Sequence, residues 1–464
     1  MSRTWLKSLA PICMLLALLA SACDPPGVAK AATPALPDPL RETPYPHDSV
    51  AVHVSEGSCE LEGAQEPSGN WSPRTELRGD PDFDPNELPP AVRCWYEVLW
   101  NSITDPDRAE YFTRRAASGD LYYYAREINN HLVALLTAFR LTGDLAFLDE
   151  VDRLAEHMRS RLEDSWKGRY ALMAGSTDGY LNWVWDQDHS DEHRGRDINE
   201  IDEIRTHSGV AQLAYVFSAN SDLESPNGVD YAERASFWTD YLLEHFEPKW
   251  RERNDAPWPE MPFLERNGLH GNVEFVRYHH YMYLLTGEEE YAAEARRLSE
   301  RAYDNFVEVQ ADGGPALVST RGVMVLSTQL DQLLPSIYFR HVIASAVDLY
   351  FEGVAPWDDE VMTKLARSLS VFILDGKGDG FARDIGGGVA RAGIEPASTD
   401  FNRIRSSVYN VSPFAMLAAW DATGEVAETS VAVHLHRGQD EWNVFIPTGL
   451  LMETALGSLS FASN

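Results

Sequence analysis

The chain has 464 residues, 39 basic and 72 acidic side chains, and a formal net charge of −33 at pH 7. A surface of this sign repels phosphate backbones and anionic lipid headgroups, which excludes nucleic acid as a partner. An anionic substrate would have to be attracted by a local group of cationic side chains.

Residues 1–22 are predicted to be a secretory signal rather than part of the fold. Arg3 and Lys7 precede an apolar run that ends in small residues before Cys23. The run is too short to span a bilayer, and no later stretch approaches the roughly 20 apolar residues that a spanning helix needs. The junction resembles a bacterial lipobox with Cys23 as the lipidated residue, although Ala20 stands where leucine is commoner and ordinary signal cleavage stays open. The sequence therefore predicts an exported protein that touches a bacterial membrane through an N-terminal lipid only.

Two further segments precede the helical part of the chain. Residues 23–50 are rich in Pro and Ala, which is typical of a flexible tether. Residues 51–87 have an irregular composition and contain Cys59, while Cys94 lies in the first predicted helix. In an oxidising compartment we expect these two cysteines to form a disulfide that clips the N-terminal arm to that helix.

From residue 121 onward the sequence repeats a helix–turn–helix pattern. An apolar-periodic segment ends at Thr142-Gly143, and Asp144 opens a second helix. Glycine just past a helix end and aspartate just before a helix are typical of such a turn. Related turns or helix pairs are predicted at 201–219 with 230–246, 284–287, 336–351 with 358–374, and 420–425.

Five or six helix pairs with long connections predict an all-α fold, an α/α toroid formed as an incomplete barrel of helical hairpins. The pairs recur about every 70 residues, whereas solenoid repeats are roughly 20–45 residues long. Only minor β segments are expected, at 316–319, 431–435 and 443–445. Residues 51–464 are predicted to form this single toroid domain.

Two long connections carry residues suited to binding. One covers 173–199 and includes Trp183 and Trp185, whose rings could stack on sugars or could simply pin the loop. The other covers 375–388 and holds aspartates that could bind a structural Ca²⁺, but it lacks EF-hand spacing and a glycine-rich turn is favoured. No other cofactor is expected, since no Cys/His cluster has zinc spacing.

One polar cluster interrupts the first long helix. Asn129, Asn130 and His131 are consecutive and have apolar flanks, although asparagine is a poor helix former. Three consecutive polar residues cannot all face solvent on such a helix. They are therefore candidates for a site, and a polar stripe on the helix is the alternative.

A second polar cluster begins a later helix. Glu200, Glu203 and His207 follow i, i+3, i+7 spacing and share one face. A carboxylate one turn from a histidine can orient the imidazole and raise its basicity. The alternative is that the carboxylates only complement the dipole at the helix N-terminus.

The third cluster is the helix over 271–287, which reads GNVEFVRYHHYMYLLTG and has Arg266 and His270 just upstream. Arg277 and Tyr281 lie one turn apart on the same side. A buried helix that places Arg, His and Tyr on inner positions is predicted to line a site. Its candidate side chains are Arg277, Tyr278, His280 and Tyr281.

These residue types suit β-elimination from a uronic acid polymer, because Arg and Asn can neutralise the carboxylate while His or Tyr moves the proton. Residues 129–131 resemble the Asn-Asn-His motif of toroid-type alginate lyases, and residues 278–281 resemble their Tyr-His-x-Tyr helix. The segment from about 120 to 305 is similar to polysaccharide lyase family 38, with matches at 206–208 and 277–279. That resemblance implies cleavage of glucuronan or alginate on an α/α toroid.

The leading hypothesis is an exported lyase that cleaves a 1,4-linked polyuronate, alginate or glucuronan. His207 and Tyr278 would act as base and acid, while Asn130 and Arg277 would neutralise the carboxylate. Whether His131 or His207 is the catalytic histidine stays open. His207 is favoured because Glu200 and Glu203 are placed to support it. The predicted substrate contacts are Asn129, His131, Glu200, Glu203, Arg266, His270, His280, Tyr281, Trp183 and Trp185.

Two alternatives belong to other functional classes. A glycoside hydrolase on the same fold would need two carboxylates about 5–10 Å apart, and Asp186, Asp202 and Glu203 are the candidates. A non-catalytic glycan-binding lipoprotein would use the loop that carries Trp183 and Trp185.

Overall fold

The computed structural model describes residues 59, 71–166, 177–183, 200–255, 269–320, 333–373, parts of 382–394, 412–437 and 444–462. The predicted signal and tether, with Cys23, lie outside these residues. Residues 49–464 form one compact unit. No helix in the described ranges combines the length and apolar character needed to cross a membrane.

Helices make up most of the described chain. They are α1 (Pro90–Thr104), α2 (Pro106–Ala116), α3 (Asn129–Thr142), α4 (Leu145–Arg159), α5 (Glu200–Ala219), α6 (Tyr231–Tyr241), α7 (Glu247–Asp255), α8 (Leu269–Thr286), α9 (Glu289–Tyr303), α10 (Ser336–Phe351), α11 (Asp359–Ser368), α12 (Glu425–Arg437) and α13 (Phe445–Ala462). Single π-helical turns precede α3 (Tyr124–Ile128), join α6 to α7 (Leu242–Phe246) and follow α11 (Leu369–Ile373), and a 3-10 helix covers Ser412–Trp420.

The predicted turn chemistry forms the first hairpin. Gly143 has a left-handed backbone, with φ of 77°, and its N–H donates to the carbonyl of Phe139 at 2.7 Å. The Asp144 side chain then accepts from the N–H of Ala146 at 3.0 Å and caps α4. Gly287, with φ of 70°, separates α8 from α9 in the same way.

Six inner segments of the described chain form a ring. Going around it, α3 packs on α5, α5 on α8, α8 on α10, α10 on the 3-10 helix, the 3-10 helix on α13, and α13 on α3. The outer layer is formed by α4, α6, α9, α11, α12 and α1, each packed against an inner segment. The predicted all-α toroid is confirmed, and contact between α13 and α3 closes the barrel that was expected to be incomplete.

The two ends of the ring differ. Turns that lead from inner to outer segments lie at the C-terminal ends of the inner segments, which we call the turn end. Connections that lead from outer to inner segments arrive at the opposite end, which we call the N-terminal end of the ring. α3, α5, α8, α10, the 3-10 helix and α13 begin at that end.

Two antiparallel hairpins supply the minor β structure of the described residues. The first pairs β1 (Glu163–Trp166) with β2 (Thr177–Asn182), and the second pairs β3 (Phe306–Ala311) with β4 (Gly314–Ser319). The strand predicted at 316–319 is therefore confirmed. The strand predicted at 431–435 is wrong, because its β-branched residues lie within α12, and Phe445 likewise begins α13. Tertiary packing overrides β propensity in both places.

The N-terminal arm is attached to the ring by a disulfide and by several hydrogen bonds. Cys59 and Cys94 form the predicted disulfide, with a Cα–Cα distance of 5.9 Å, and Cys94 lies in α1. Further along the arm, the N–H of Asp80 donates to the carbonyl of Gly143 at 2.7 Å. The arm therefore contacts both α1 and the turn between α3 and α4.

Candidate functional site

The inner face of α8 is polar along its length. His270, Glu274, Arg277 and Tyr281 stand at i, i+4, i+7 and i+11, and all four are buried. Helical spacing of this kind places them on one side. Glu274, Arg277 and Tyr281 bond to polar side chains of α5 and α10, so this face is directed into the ring.

Asp348 of α10 is the centre of the network in the interior of the ring. Its carboxylate accepts from Arg277 Nε at 2.9 Å, Tyr281 Oη at 2.8 Å, Gln212 Nε2 at 2.9 Å and Arg140 Nη2 at 3.0 Å. These donors come from α8, α5 and α3. One buried carboxylate thus ties four inner helices together.

The predicted carboxylate ligand Arg277 is fully engaged in this network. Its Nη1 donates to Glu274 at 2.9 Å, its Nη2 donates to Gln212 at 2.7 Å, and the side chain is 1% exposed. Burial alone would lower the pKa of Arg277, but Asp348 and Glu274 raise it above its usual range. Arg277 therefore lies in the ring interior, as predicted, and links α8 to α5 and α10.

A second group of polar side chains lies nearer the N-terminal end of the ring. Arg205 donates from Nη2 to Asn130 Oδ1 at 3.1 Å, and its Nε lies 3.6 Å from Glu274. Arg126 bonds from Nε to Asp202 at 3.3 Å. The Arg126 side chain is 37% exposed, so this group reaches the surface of the described structure.

His341 of α10 connects these arginines with the neighbouring helices. Arg340 donates from Nε to His341 Nε2 at 3.2 Å. Burial lowers the pKa of His341 well below its usual range, and the nearby Arg205, Arg340, His270 and Arg126 lower it further. The imidazole is therefore neutral at pH 7, in a strongly positive environment.

We call these five side chains the cationic cluster: Arg126, Arg205, His270, Arg340 and His341. An aromatic side chain borders it, since the Tyr338 ring stacks on His270 with a centroid distance of 4.9 Å. Tyr338 is 38% exposed. The cluster and Tyr338 lie on the early turns of inner segments, at the end of the ring where the outer-to-inner connections arrive.

His207 does not face the cationic cluster. It is fully buried, its Nδ1–H donates to the carbonyl of Glu203 at 2.7 Å, and its Nε2 accepts from Tyr241 Oη at 2.8 Å. Its ring stacks on Phe246 at 3.8 Å. Burial, then the charge of Lys249, lowers its pKa well below the usual range. The predicted role as general base does not fit this position between the two helical layers.

Tyr278 also faces the outer layer. Its hydroxyl donates to Glu247 Oε1 at 2.8 Å, and Tyr291 donates to the same oxygen at 2.7 Å. Successive residues of a helix diverge by about 100°, so Tyr278 and Arg277 point to different sides of α8. The predicted proton-transfer role of Tyr278 does not fit, and Tyr281 is the tyrosine that shares the inner side with Arg277.

The three residues of the Asn-Asn-His segment point in different directions. Asn130 bonds to Arg205, as above. His131 is buried against α2, where it stacks on Phe112 at 3.8 Å, and burial lowers its pKa to about 3. Asn129 lies against α5 so closely that a Cβ at Gly209 would come within 2.3 Å of its Oδ1. Of these three, Asn130 alone contacts the cationic cluster.

Two other residues predicted to contact substrate, Glu203 and Trp183, have structural roles. Glu203 is buried and accepts from Asn182 Nδ2 at 2.6 Å and from Lys249 Nζ at 3.2 Å. Trp183 is fully buried and donates from Nε1 to the carbonyl of Met158 at 2.8 Å, so it pins its segment and cannot stack on a sugar. Glu200 begins α5. Arg266, Trp185, Asp186 and the aspartates of 375–381 lie outside the described residues.

His280 lies away from the cationic cluster, near the turn end. Its Nε2 is 3.4 Å from Glu352 Oε2. Both line a cavity of about 580 Å³ together with Tyr283 and Arg296. In the described part of the chain, no three His, Cys, Asp or Glu side chains are grouped so that they could hold a metal ion.

Sequence reasoning missed the polar residues of α10. His341, Ser345, Asp348 and Glu352 stand at i, i+4, i+7 and i+11, the same spacing as the polar face of α8. Polar residues at helical spacing inside an otherwise apolar helix were therefore the available signal. Arg205 could have been found on α5 in the same way.

Comparison with known proteins gives two solved structures with low similarity to the chain. No family model and no curated protein matches the chain, so the resemblance to polysaccharide lyase family 38 stays a prediction. Among solved structures, the chain is similar to the GH76A alpha-1,6-mannanase from Salegentibacter sp. HEL1_6, with a TM-score of 0.35, 14% identity and coverage of 79% of this chain and 99% of that one. An inactive variant of that enzyme in complex with alpha-1,6-mannotriose gives the same TM-score and coverage at 13% identity.

Proposed function

We propose that the chain is a carbohydrate-degrading enzyme that acts on an acidic glycan. The supporting observation is the cationic cluster, which gathers three arginines and two histidines from inner helices in a chain whose net charge is −33. A positive site within a negative surface attracts an anionic ligand to that point. Guanidinium groups bind carboxylates through two parallel hydrogen bonds, which suits uronic acid residues.

The described side chains favour β-elimination as the reaction. Arg205 and Asn130 would stabilise the carboxylate as it takes on enolate-like character. His341 Nε2, which accepts from Arg340 Nε, would exchange that hydrogen bond for the proton next to the carboxylate. The bond from the β carbon to the bridging oxygen would break, and the Tyr338 hydroxyl would return a proton to that oxygen. This assignment keeps the predicted polyuronate lyase reaction and replaces His207 and Tyr278 by His341 and Tyr338.

Hydrolysis is the second candidate because two carboxylates, Asp202 and Glu274, lie beside the cationic cluster. Asp202 is paired with Arg126, and Glu274 with Arg277. In a hydrolase, one of the two carboxyl groups would act as the general acid and the other as the nucleophile or base. A purely glycan-binding function is less well supported, because Trp183, one of the two tryptophans proposed to stack on sugars, is buried.

The test is a panel of alginate, glucuronan, other polyuronates and neutral mannan, incubated with the purified protein. Both ultraviolet absorbance from unsaturated products and new reducing ends are measured. We expect both signals on an acidic glycan and neither on mannan. Reducing ends without absorbance would establish the hydrolase instead, and the absence of product on every acidic glycan would refute the proposal.

A matched pair of variants tests the role of the cationic cluster. Arg205→Gln should raise KM on the acidic glycan, whereas Arg297→Gln should not. Arg297 is an arginine of the outer helix α9, paired with Glu294 at 2.6 Å and 52% exposed. Equal KM values for the two variants would show that Arg205 does not contribute to substrate binding.

We also propose export and attachment to a bacterial membrane through a lipid on Cys23. The supporting feature is the signal-like N-terminus with small residues before that cysteine. Cys23→Ala should shift the protein from the membrane fraction to the soluble fraction. An unchanged distribution would refute the lipid anchor without affecting the enzymatic proposal.

A further inference from the structure

Arg115 is held between two aromatic rings near the start of the first inner segment. Its guanidinium carbon lies 3.7 Å from the ring centroid of Tyr123 and 4.9 Å from that of Tyr111. Its Nε donates to Tyr111 Oη at 2.9 Å and lies 3.0 Å from Glu127 Oε2. Contacts with both rings and at Nε therefore hold this guanidinium in place.

The terminal nitrogens of Arg115 are the part of this group that the described contacts do not use. Within the described ranges, the hydrogen bond that this side chain donates comes from Nε, which also lies 3.0 Å from Glu127, and the side chain is 29% exposed. An arginine that is already immobilised loses little conformational entropy when it binds a carboxylate. Its planar fork matches the two oxygens of that carboxylate.

Arg115 is connected to the cationic cluster by a continuous row of side chains. The rings of Tyr122 and Tyr123 are 5.6 Å apart, and Arg126 lies over Tyr122 with its guanidinium carbon 4.2 Å from the ring centroid. Arg126 belongs to the cluster. Two tyrosine rings therefore separate Arg126 of the cluster from Arg115.

We propose that Arg115 forms a second carboxylate-binding subsite, which holds a further uronate residue of the glycan chain bound at the cationic cluster. The inference rests on the proposed function and narrows its substrate to a polymer with more than one carboxylate. The half-buried faces of Tyr122 and Tyr123 would contact the apolar faces of sugar rings between the two arginines. A single acidic sugar would fill only the site at the cationic cluster, whereas a longer chain would reach Arg115.

The experiment compares Arg115→Gln with Arg159→Gln. Arg159 is the matched control, since its guanidinium carbon lies 3.8 Å from the ring centroid of Phe237 and its side chain is 28% exposed, but it lies on α4 in the outer layer. KM and kcat are measured on short and long oligomers of the polyuronate that the unmodified protein cleaves. Thermal melts of both variants establish that they are folded.

We expect Arg115→Gln to raise KM about tenfold on long oligomers, as for the loss of one charge-assisted hydrogen-bonded pair. KM on short oligomers and kcat on both should stay unchanged, and Arg159→Gln should match the unmodified protein. If Arg115→Gln does not fold, Arg115→Lys takes its place, because it keeps the charge but loses the planar fork, and it should show a smaller rise on long oligomers only.

The two possible failures are distinguishable. If the unmodified protein cleaves a polyuronate but both variants behave alike, or if Arg115→Gln impairs short and long oligomers equally, the subsite is refuted and the proposed function stands. If the unmodified protein cleaves no acidic glycan, the proposed function fails and the subsite fails with it.

Discussion

Replacing Lys249 by methionine should destabilise the fold more than any exposed lysine replacement. Lys249 lies on α7, and its Nζ is 3.2 and 3.4 Å from the two carboxylate oxygens of Glu203 on α5. Both side chains are 0% exposed. The substitution keeps most of the side-chain volume but leaves the Glu203 carboxylate in the interior without its cation.

The expected loss in free energy of unfolding depends on how deeply the ion pair is buried rather than on the distance between its atoms. Removing one partner of a buried pair costs about 3–5 kcal/mol, because the remaining charge is desolvated and uncompensated. Lys364 provides the control, since its Nζ lies 2.7 Å from Glu308 and 2.6 Å from Glu360, whose side chains are 55% and 74% exposed. Those distances are shorter, yet Lys364→Met should cost less than about 1 kcal/mol, because water screens and solvates the exposed carboxylates.

The assay is urea unfolding at pH 7, followed by circular dichroism. Lys249→Met should lower the urea midpoint by several times the change seen for Lys364→Met. The double variant Lys249→Met with Glu203→Gln should recover part of the loss, since it removes the uncompensated charge. If Lys249→Met destabilised the protein no more than Lys364→Met, the assignment of a desolvated ion pair would be refuted.

Three further outcomes are expected. Burial lowers the pKa of His131 to about 3, so between pH 6.5 and 3 the unfolded state binds more protons and the free energy of unfolding falls as the pH falls. Between pH 7 and pH 5 the free energy of unfolding of His131→Phe, measured by urea unfolding, should therefore fall by roughly 2 kcal/mol less than that of the unmodified protein. An unchanged pH dependence would contradict this. Tyr278→Phe should lower the free energy of unfolding by about 1 kcal/mol, because the hydrogen bond to Glu247 is lost, and should leave kcat unchanged. Loss of kcat would show that Tyr278 belongs to the active site. Arg205→Gln should raise KM on acidic glycans by about tenfold or more, with no change in KM for the Arg297→Gln control.

The fold could be predicted from the sequence because its turns are local. Gly143 and Asp144 determine where one helix ends and the next begins, and Gly287 repeats the first of these signals. The strand predicted at 431–435 failed for the opposite reason, since the segment lies in an outer helix that packs on the 3-10 helix, and no local pattern contains that contact. Closure of the ring through α13 also depends on contacts that no local pattern contains.

The candidate site was predicted only in part, because direction within a two-layered ring is a tertiary property. Glu203 and His207 were correctly placed one turn apart, but the spacing does not reveal that they face the outer layer. Arg277 and Tyr278 are adjacent in sequence and belong to different layers. Asp348, whose donors come from three other helices, becomes recognisable as a hub only when those helices are assembled.

The contact between α13 and α1 sets an order for assembly. The last inner helix packs on α1, the first helix of the chain, so the packing of α1, with Trp95 and Leu99 buried, is complete only when residues 445–462 exist. A nascent chain can build its hairpins one after another, but the helix made first must wait for the helix made last. The disulfide at Cys94 attaches the N-terminal arm to this same helix, and the bond from Asp80 to Gly143 attaches the arm to the first hairpin, so the arm holds α1 beside that hairpin while the rest of the ring is made.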